Sequence, residues 1–231
     1  MRLAALFSGG KDSTYAIYSA GRMGHSVEIL LTFIPESIES YLFHYPNIHL
    51  TPLQAESMGL RQLLVPVKGG EEETLDRALD EVAGMVDGLL TGALASSYQR
   101  SRMERAAEKH GLKLITPLWS IEPGQLLKKL VSEGFKAIVV AVAAEGLGEE
   151  WLGRLIDDRA ADELAALQQK YGVHPAGEGG EMETLVLDCP LFRKRLQPKR
   201  VEKVWRGHYG YLIVHETELV EKHPQGSASI P

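Results

Sequence analysis

The chain has 231 residues, a length that favours one domain with a smaller appendage in a single compact body. Its 44% hydrophobic content allows a substantial core and excludes wholesale disorder, and its net charge of −6 argues against stable binding of free nucleic acid. The single cysteine, Cys189, excludes an internal disulfide, a cysteine zinc site, an iron–sulfur cluster and any two-cysteine redox or sulfur-relay chemistry.

The first half of the chain alternates short apolar runs with segments of helical periodicity. Strands are predicted over residues 3–7, 27–34, 63–67, 88–91 and 112–115. Helices are predicted over 12–23, 71–85 and 98–110, the last of them capped by Gly111. This alternation predicts an α/β fold with a doubly wound, Rossmann-like parallel sheet.

The second half has a different order of predicted helices and strands. A helix is predicted over 123–133, a strand over 137–142, a helix over 159–171 and two extended segments over 201–205 and 209–215. We therefore expect a smaller α+β C-terminal domain with a boundary near Trp119, giving domains 1–118 and 119–220 and a flexible tail 221–231. The apolar run at the N-terminus is too short for a signal peptide or a membrane span, so a cytoplasmic location is expected.

A polar, glycine-containing loop follows the first predicted strand. Its residues are Ser8, Gly9, Gly10, Lys11, Asp12 and Ser13. Backbone N–H groups at the start of a helix, two hydroxyl groups and a lysine charge favour a bound phosphate at this position. The loop is not a Walker A sequence, because Lys11 is followed by Asp12 instead of Ser or Thr. Asp12 could bind magnesium or cap the helix.

Three further segments narrow the interpretation. Tyr45-Pro46-Asn47 follows His44, Gly92-Ala93-Leu94 precedes Ser97-Tyr98-Gln99-Arg100 and Arg102, and a glycine- and glutamate-rich stretch covers 177–184. Together with the loop, these segments resemble the diphthine–ammonia ligase family of the ATP pyrophosphatase (PP-loop) superfamily, over nearly the whole chain to about Phe192. The resemblance implies a HUP-type Rossmann-like fold.

The resemblance also implies chemistry and partners. The expected enzyme adenylates the diphthine carboxylate of elongation factor 2 with ATP, and ammonia then displaces AMP; Mg²⁺ is the expected metal. The residues implied to bind ATP are Ser8, Gly9, Gly10, Lys11, Asp12, Ser13, Gly92, Tyr98, Gln99 and Arg100, with Asp12 also on the metal. The residues implied to bind the acceptor are His44, Asn47, Arg102, Gly179, Gly180 and Thr184, and Trp119 is a further candidate because its aromatic ring could stack on a ligand.

Three carboxylates complete the predicted catalytic set with Lys11 and Asp12. Glu178, Glu181 and Glu183 lie within six residues, among glycines that allow an irregular backbone close to a ligand. They could hold magnesium through water, position ammonia or face the cationic substrate, and the sequence leaves these tasks open. Arg100 and Arg102 point in different directions on one helix, so at most one of them is expected to meet phosphate.

Two other functions are alternatives at this stage. A tRNA-modifying adenylating enzyme of the same superfamily is disfavoured by the missing cysteine pair and the acidic charge. A nucleotide sensor without turnover would use only the anion-binding loop and would not need the glutamates. Cys189 lies in an apolar run without a nucleophile elbow, so we predict a buried packing thiol and free ammonium as the nitrogen donor. The chain could be a monomer or a homodimer.

Overall fold

The computed structural model describes residues 1–35, 47–94 and 97–222, without the side chains of Glu71, Ser97, Tyr98 and Gln99. Its first half contains a five-stranded parallel sheet in the order β3-β2-β1-β4-β5. The strands are β1 (Arg2–Leu6), β2 (Ser26–Ile34), β3 (Arg61–Pro66), β4 (Gly88–Leu90) and β5 (Lys113–Ile115). The predicted doubly wound, Rossmann-like sheet is thereby confirmed, and all five strands fall on apolar runs identified from the sequence.

Six α-helices accompany the strands within the described residues. They are α1 (Lys11–Arg22), α2 (Thr51–Met58), α3 (Glu71–Val82), α4 (Ser97–Lys109), α5 (Pro123–Ser132) and α6 (Asp158–Tyr171). Helix α2 was not predicted. The reason is that it buries polar side chains, those of Thr51, Gln54 and Ser57, and so lacks the apolar stripe by which an amphipathic helix is recognised.

The second half builds an antiparallel sheet in the order β7-β6-β9-β8. Its strands are β6 (Lys136–Val142), β7 (Met182–Asp188), β8 (Lys194–Trp205) and β9 (Gly210–Glu221). The smaller α+β part predicted from the sequence is therefore present. No helix among residues 1–35, 47–94 and 97–222 has the length and apolar character needed to cross a bilayer.

The hairpin of β8 and β9 corrects two expectations. The extended segments predicted over 201–205 and 209–215 are parts of strands of 12 residues each. Residues 199–203 are exposed on both faces, so the alternation of apolar and polar residues that marks a strand is missing there. Residues 221 and 222, which were assigned to the tail from the sequence, differ from that expectation, because Glu221 ends β9 and the Lys222 ammonium pairs with Asp188 at 2.5 Å.

The parallel sheet packs on both of its faces. On one face, β-strand residues such as Ala4 and Leu31 pack against α3 and α4. On the other face, Leu3, Ala5 and Phe7 join a larger core that also contains α1, α5, α6 and the second sheet. Both halves of the chain thus share one hydrophobic core, which places β7 directly beside the loop after β1.

Candidate active site at the junction of the two sheets

The loop after β1 forms a compact turn that leads into α1. Gly9 has a φ of +80°, a conformation that favours glycine, and Gly10 is the N-cap residue of α1. The hydroxyl oxygens of Ser8 and Ser13 are 3.1 Å apart, and the Thr14 hydroxyl donates to the Gly10 carbonyl at 2.8 Å. The first turn of a helix carries N–H groups without intrahelical partners, so this loop presents donors suited to phosphate oxygens.

Gly92 follows β4, the strand next to β1, and lies against the start of α1. A Cβ atom on Gly92 would be 2.7 Å from the carbonyl carbon of Asp12 and 2.8 Å from the backbone nitrogen of Ser13. The chain leaves β1 toward β2 on one side, while β4 adjoins β1 on the other. The loop and Gly92 therefore lie at the topological switch point of the sheet, where open α/β sheets bind ligands.

Strand β7 of the second sheet covers the loop. The Lys11 backbone N–H donates to the Thr184 hydroxyl at 3.1 Å, and the Val186 N–H donates to the Gly9 carbonyl at 3.0 Å. Gly10 also approaches Thr184, whose carbonyl oxygen would be 3.2 Å from a Cβ atom at Gly10. The structure thus brings Thr184, predicted to contact the acceptor, into contact with the predicted ATP loop.

The Lys11 side chain is buried and bonded within the site. Only 1% of Lys11 is exposed, and its ammonium donates to Asp12 Oδ2 at 2.8 Å and to the Ala176 carbonyl at 2.5 Å. The second carboxylate oxygen of Asp12, Oδ1, is buried without a hydrogen-bond partner among the described residues. A buried, unsatisfied carboxylate oxygen is costly unless a ligand or ion completes it.

The three glutamates of the 177–184 segment have different surroundings. Glu178 Oε1 accepts from the Leu94 N–H at 3.2 Å, which ties this segment to the loop after β4. Glu181 Oε2 accepts from the His174 N–H at 2.6 Å, a bond that spans the bend containing Gly177. Glu183 belongs to β7 and faces a cleft. Glu178 and Glu181 therefore each bind a backbone N–H group, and Glu183 lines the cleft.

That cleft lies at the junction of the two sheets. It is lined by Ser8, Asn47, Ile48, Val140, Glu183, Thr184 and Leu185. A loop residue predicted to bind ATP, Ser8, thus shares one cleft with residues predicted to contact the acceptor. Such convergence is what a reaction between two substrates requires.

Asn47 and the predicted residues on or near α4 have identifiable partners. The Asn47 amide donates to the Leu212 carbonyl at 2.7 Å and accepts from the Val214 N–H at 2.9 Å, so it joins the first half of the chain to β9. The Arg100 guanidinium lies over the Trp119 ring, 4.6 Å from its centroid. Arg102 pairs with Glu72 of α3 at 2.9 Å. The ligand contacts predicted for these residues stay predictions.

Other predicted residues fall into two groups. Gly179 and Gly180 are exposed and have φ values of +75° and +81°, so they shape the turn before β7. His44 lies outside the described residues, as do the side chains of Tyr98 and Gln99. In the described part of the chain, no group of three or more His, Cys, Asp or Glu side chains has the arrangement of a metal site.

Two residues that build the site, Gln54 and Ala176, were not identified from the sequence. Gln54 of α2 donates from Nε2 to the Gly9 carbonyl at 2.9 Å and to the Val186 carbonyl at 2.8 Å. The Ala176 carbonyl receives the Lys11 ammonium. Gln54 gave no sequence signal because helix α2 was not predicted, and an alanine carbonyl gives none at all.

Cys189 is a buried thiol, as the sequence indicated. Its exposed fraction is 1%, and burial raises its pKa to about 12. A thiol with so high a pKa is protonated at neutral pH and is a poor nucleophile. The structure therefore offers no cysteine nucleophile for a glutaminase step.

Two family models match the chain. The model described as "Diphthamide synthase N-terminal domain" matches residues 1–114, and the one described as "Diphthamide synthase C-terminal domain" matches residues 122–220. Their junction falls between β5 and α5.

Proteins named "Diphthine--ammonia ligase" are similar to the chain over nearly its full length. The human protein is 33% identical, with 99% of this chain and 94% of that protein covered, and the Danio rerio protein is 32% identical, with 100% and 99% covered. The longer Schizosaccharomyces pombe protein is 35% identical over 93% of this chain and 39% of its own length. A crystal structure titled "predicted subunit of tRNA methyltransferase" from Methanocaldococcus jannaschii aligns with a TM-score of 0.46 at 19% identity, covering 82% of this chain and 98% of that one.

Proposed function

The chain belongs to the diphthine–ammonia ligase family, and we propose that it amidates the diphthine carboxylate of elongation factor 2 at the cleft between its two sheets. It is an ATP-dependent carboxylate–ammonia ligase of diphthamide biosynthesis. The overall reaction converts a carboxylate, ammonium and ATP into an amide, AMP and pyrophosphate, and one carboxylate oxygen leaves in AMP. We expect it to take place in the cytoplasm, by a monomer or a homodimer.

One observation carries the assignment of the site. The loop after β1 and strand β7 are joined by direct hydrogen bonds, Lys11 N–H to Thr184 and Val186 N–H to Gly9. A phosphate-binding loop and the wall of the acceptor cleft are therefore one structural unit. This arrangement supports transfer of AMP from ATP to an acceptor held against β7.

In the first step, the acceptor carboxylate attacks the α-phosphorus of ATP and the bond to the β-phosphate breaks. The loop N–H groups, the Ser8 and Ser13 hydroxyls and the Lys11 ammonium stabilise the negative charge that develops on the departing pyrophosphate. Gly92 supports the same region because the absence of a side chain lets its backbone approach α1 closely. Catalysis here consists of positioning and charge stabilisation.

In the second step, ammonia attacks the acyl carbon of the adenylated acceptor and AMP leaves. Glu183 is the carboxylate that borders the cleft, and we assign to it the attraction of ammonium or of the quaternary ammonium group of diphthine. Glu178 and Glu181 act through the backbone that they hold. Because Cys189 is buried with a raised pKa, free ammonium is the expected nitrogen source.

Asp12 is the residue that fits a magnesium ion. Its Oδ1 atom is buried and lacks a hydrogen-bond partner in the described part of the chain, while Oδ2 is held by Lys11. Carboxylate oxygens are preferred Mg²⁺ ligands, and the ion typically adds substrate phosphate oxygens and water. When bound, Mg²⁺ would neutralise charge on the phosphates of ATP.

A product assay tests the proposal. The purified chain is incubated with ATP, Mg²⁺, ammonium and diphthine-bearing elongation factor 2, with unmodified elongation factor 2 as the control acceptor. We expect AMP and pyrophosphate in equal amounts and an amidated acceptor only when diphthine is present. ADP and phosphate as the main products, or AMP formation that does not depend on the acceptor, would overturn the proposal.

A further inference from the structure

The Nε2 atom of Gln54 contacts both the loop after β1 and strand β7, which covers that loop. Gln54 is fully buried in α2, with 0% exposure. Both N–H bonds of its amide are used, one toward the Gly9 carbonyl at 2.9 Å and one toward the Val186 carbonyl at 2.8 Å. The Val186 N–H also donates to Gly9. Three backbone groups and one amide therefore form a closed set of hydrogen bonds.

The amide oxygen of Gln54 also fits the unusual backbone of Gly9. A Cβ atom at Gly9 would be 2.2 Å from Gln54 Oε1, so the glycine hydrogen points at this oxygen. Oε1 is buried and has no other partner among the described residues. A Cα–H group is a weak donor that can partly satisfy such an oxygen. Gln54 thus contacts Gly9 on two sides.

This contact sets the direction of a phosphate-binding group. The carbonyl of Gly9 and the N–H of Gly10 belong to one planar trans peptide, and they point in opposite directions. Two donors, Gln54 and Val186, hold the Gly9 carbonyl toward α2 and β7. The Gly10 N–H consequently points away from α2 and β7 and donates to the Ser8 hydroxyl oxygen, in a long hydrogen bond of 3.4 Å that a phosphate oxygen can replace.

We infer that Gln54 is a positioning residue for adenylation: it fixes the Gly9–Gly10 peptide so that the Gly10 N–H meets the departing pyrophosphate. This inference rests on the proposed function for the chemistry of the loop. Both N–H bonds of the Gln54 amide are used on the Gly9 and Val186 carbonyls, so Gln54 acts through the peptide that it holds. A shift of about 1 Å in such a group can lower a rate by about 10²-fold.

Two substitutions test the inference. Gln54→Glu keeps the size of the side chain but replaces the NH₂ donor with a carboxylate oxygen, which then faces two carbonyl oxygens. Gln54→Met removes both donor hydrogens with similar volume and no charge. Val82→Ala, in the core on the far face of the sheet, is a control for lost stability, and Gln168→Glu on the exposed face of α6 is a control for the charge change. Thermal melts identify the variants that fold.

The readouts are the rate of AMP formation and the affinities for pyrophosphate and for AMP, measured by calorimetry. For both Gln54 variants we expect a fall in kcat of about 10-fold or more and weaker pyrophosphate binding, with AMP affinity unchanged and both controls near the parent. In Gln54→Glu, lowering the pH protonates the new carboxyl group, restores one donor and should recover part of the pyrophosphate affinity.

The outcomes separate this inference from the proposed function. Pyrophosphate affinity equal to the parent's in a folded Gln54→Met variant would overturn the positioning role, whatever the reaction is. Equal losses of pyrophosphate and AMP affinity, matched by Val82→Ala, would also overturn it, because they indicate a general loss of stability. A parent protein that yields no AMP would refute the proposed function while the pyrophosphate measurements still decide the role of Gln54.

Discussion

The ammonium nitrogen of Lys11 lies 2.5 Å from the carbonyl oxygen of Ala176, a residue 165 positions later in the chain. The same nitrogen pairs with Asp12 at 2.8 Å. A lysine predicted to neutralise pyrophosphate thus also binds the residue that immediately precedes the acidic segment 177–184. Its charge is held in a buried position before any phosphate arrives.

Replacement of Lys11 should impair cleavage strongly. We expect Lys11→Met to lower the rate of AMP and pyrophosphate formation by about 10²-fold or more, since a preorganised charge at the leaving group is lost. Lys109→Met is the matched control, because Lys109 is an exposed lysine that pairs with Asp76 at 2.5 Å, away from the loop. A rate in Lys11→Met equal to that of the control would contradict the role given to Lys11.

Substitutions of the glutamates should distinguish the role of Glu183 in the cleft from the role of Glu181 in holding the backbone. We expect Glu183→Gln to lower the ligation rate by about 10-fold or more while ATP affinity, measured by calorimetry, stays near the parent value. Glu181→Gln should cost less, because an amide oxygen still accepts from the His174 N–H. Loss of ATP affinity in Glu183→Gln, with acceptor affinity unchanged, would contradict this role and assign Glu183 to the binding of magnesium and ATP.

Gly92 should tolerate no side chain. We expect Gly92→Ala to push β4 away from the start of α1 and to reduce both thermal stability and AMP formation, because the new methyl group meets backbone atoms at 2.7 and 2.8 Å. Gly21→Ala, in α1 with nothing within 4 Å of the added carbon, is the control and should raise stability by up to about 1 kcal/mol. Similar melting temperatures for the two variants would refute the close approach at Gly92.

Cys189 should be dispensable for activity. Cys189→Ser is expected to retain ligation with ammonium as the nitrogen donor, at some cost in stability because a hydroxyl replaces a buried thiol. In the native parent protein, a thiol reagent should react slowly at pH 8, since the thiol is buried and its pKa is raised to about 12; unfolding in denaturant should make the reaction fast. Abolished ligation in Cys189→Ser would make this cysteine a reactive residue.

Low pH should weaken the ion pair between Arg2 of β1 and Asp87, which precedes β4. Hydrogen bonds from the side chain and backbone of Arg2 lower the pKa of Asp87 from 3.8 to about 2. A lowered folded-state pKa gives stability that is present above the unfolded pKa and is lost as pH falls through the folded one. We therefore expect melting temperature to fall between about pH 4 and pH 2, with a shallower fall in Asp87→Asn. Parallel curves for the two proteins would contradict this coupling.

Much of the fold follows from local sequence. The inner strands β1, β2 and β4 are mostly apolar runs because they are covered on both faces, and helix α4 ends at Lys109, two residues before Gly111, whose φ is +69°. Helix α2 was missed because its buried side chains are polar, and the lengths of β8 and β9 were missed because their middle parts are exposed on both faces. Hydrophobic periodicity reports burial, so it fails where polar groups are buried or a strand is not covered.

The candidate site also has parts that the sequence predicts and parts that it does not. The loop, Gly92 and the acidic segment were recognisable as motifs, since the residue types themselves carry the chemistry. The contacts that join them were not recognisable. Gln54 meets the Val186 carbonyl across 132 positions of sequence, and Glu178 meets the Leu94 N–H across 84. Such pairings depend on how the second sheet docks on the first, which one sequence does not encode locally.

The shared core also limits how this molecule can be divided or recombined. Tyr15 of α1 packs edge-on against Phe135 at 5.2 Å between ring centroids, and Leu126 and Leu127 of α5 belong to the same core. A fragment ending after β5 would expose this apolar face to water, a surface that promotes aggregation. A chimera that takes its halves from two relatives would need core side chains of complementary shape where α1 packs against α5 and Phe135. Substitutions in this shared core therefore require compensating substitutions in the other half of the chain.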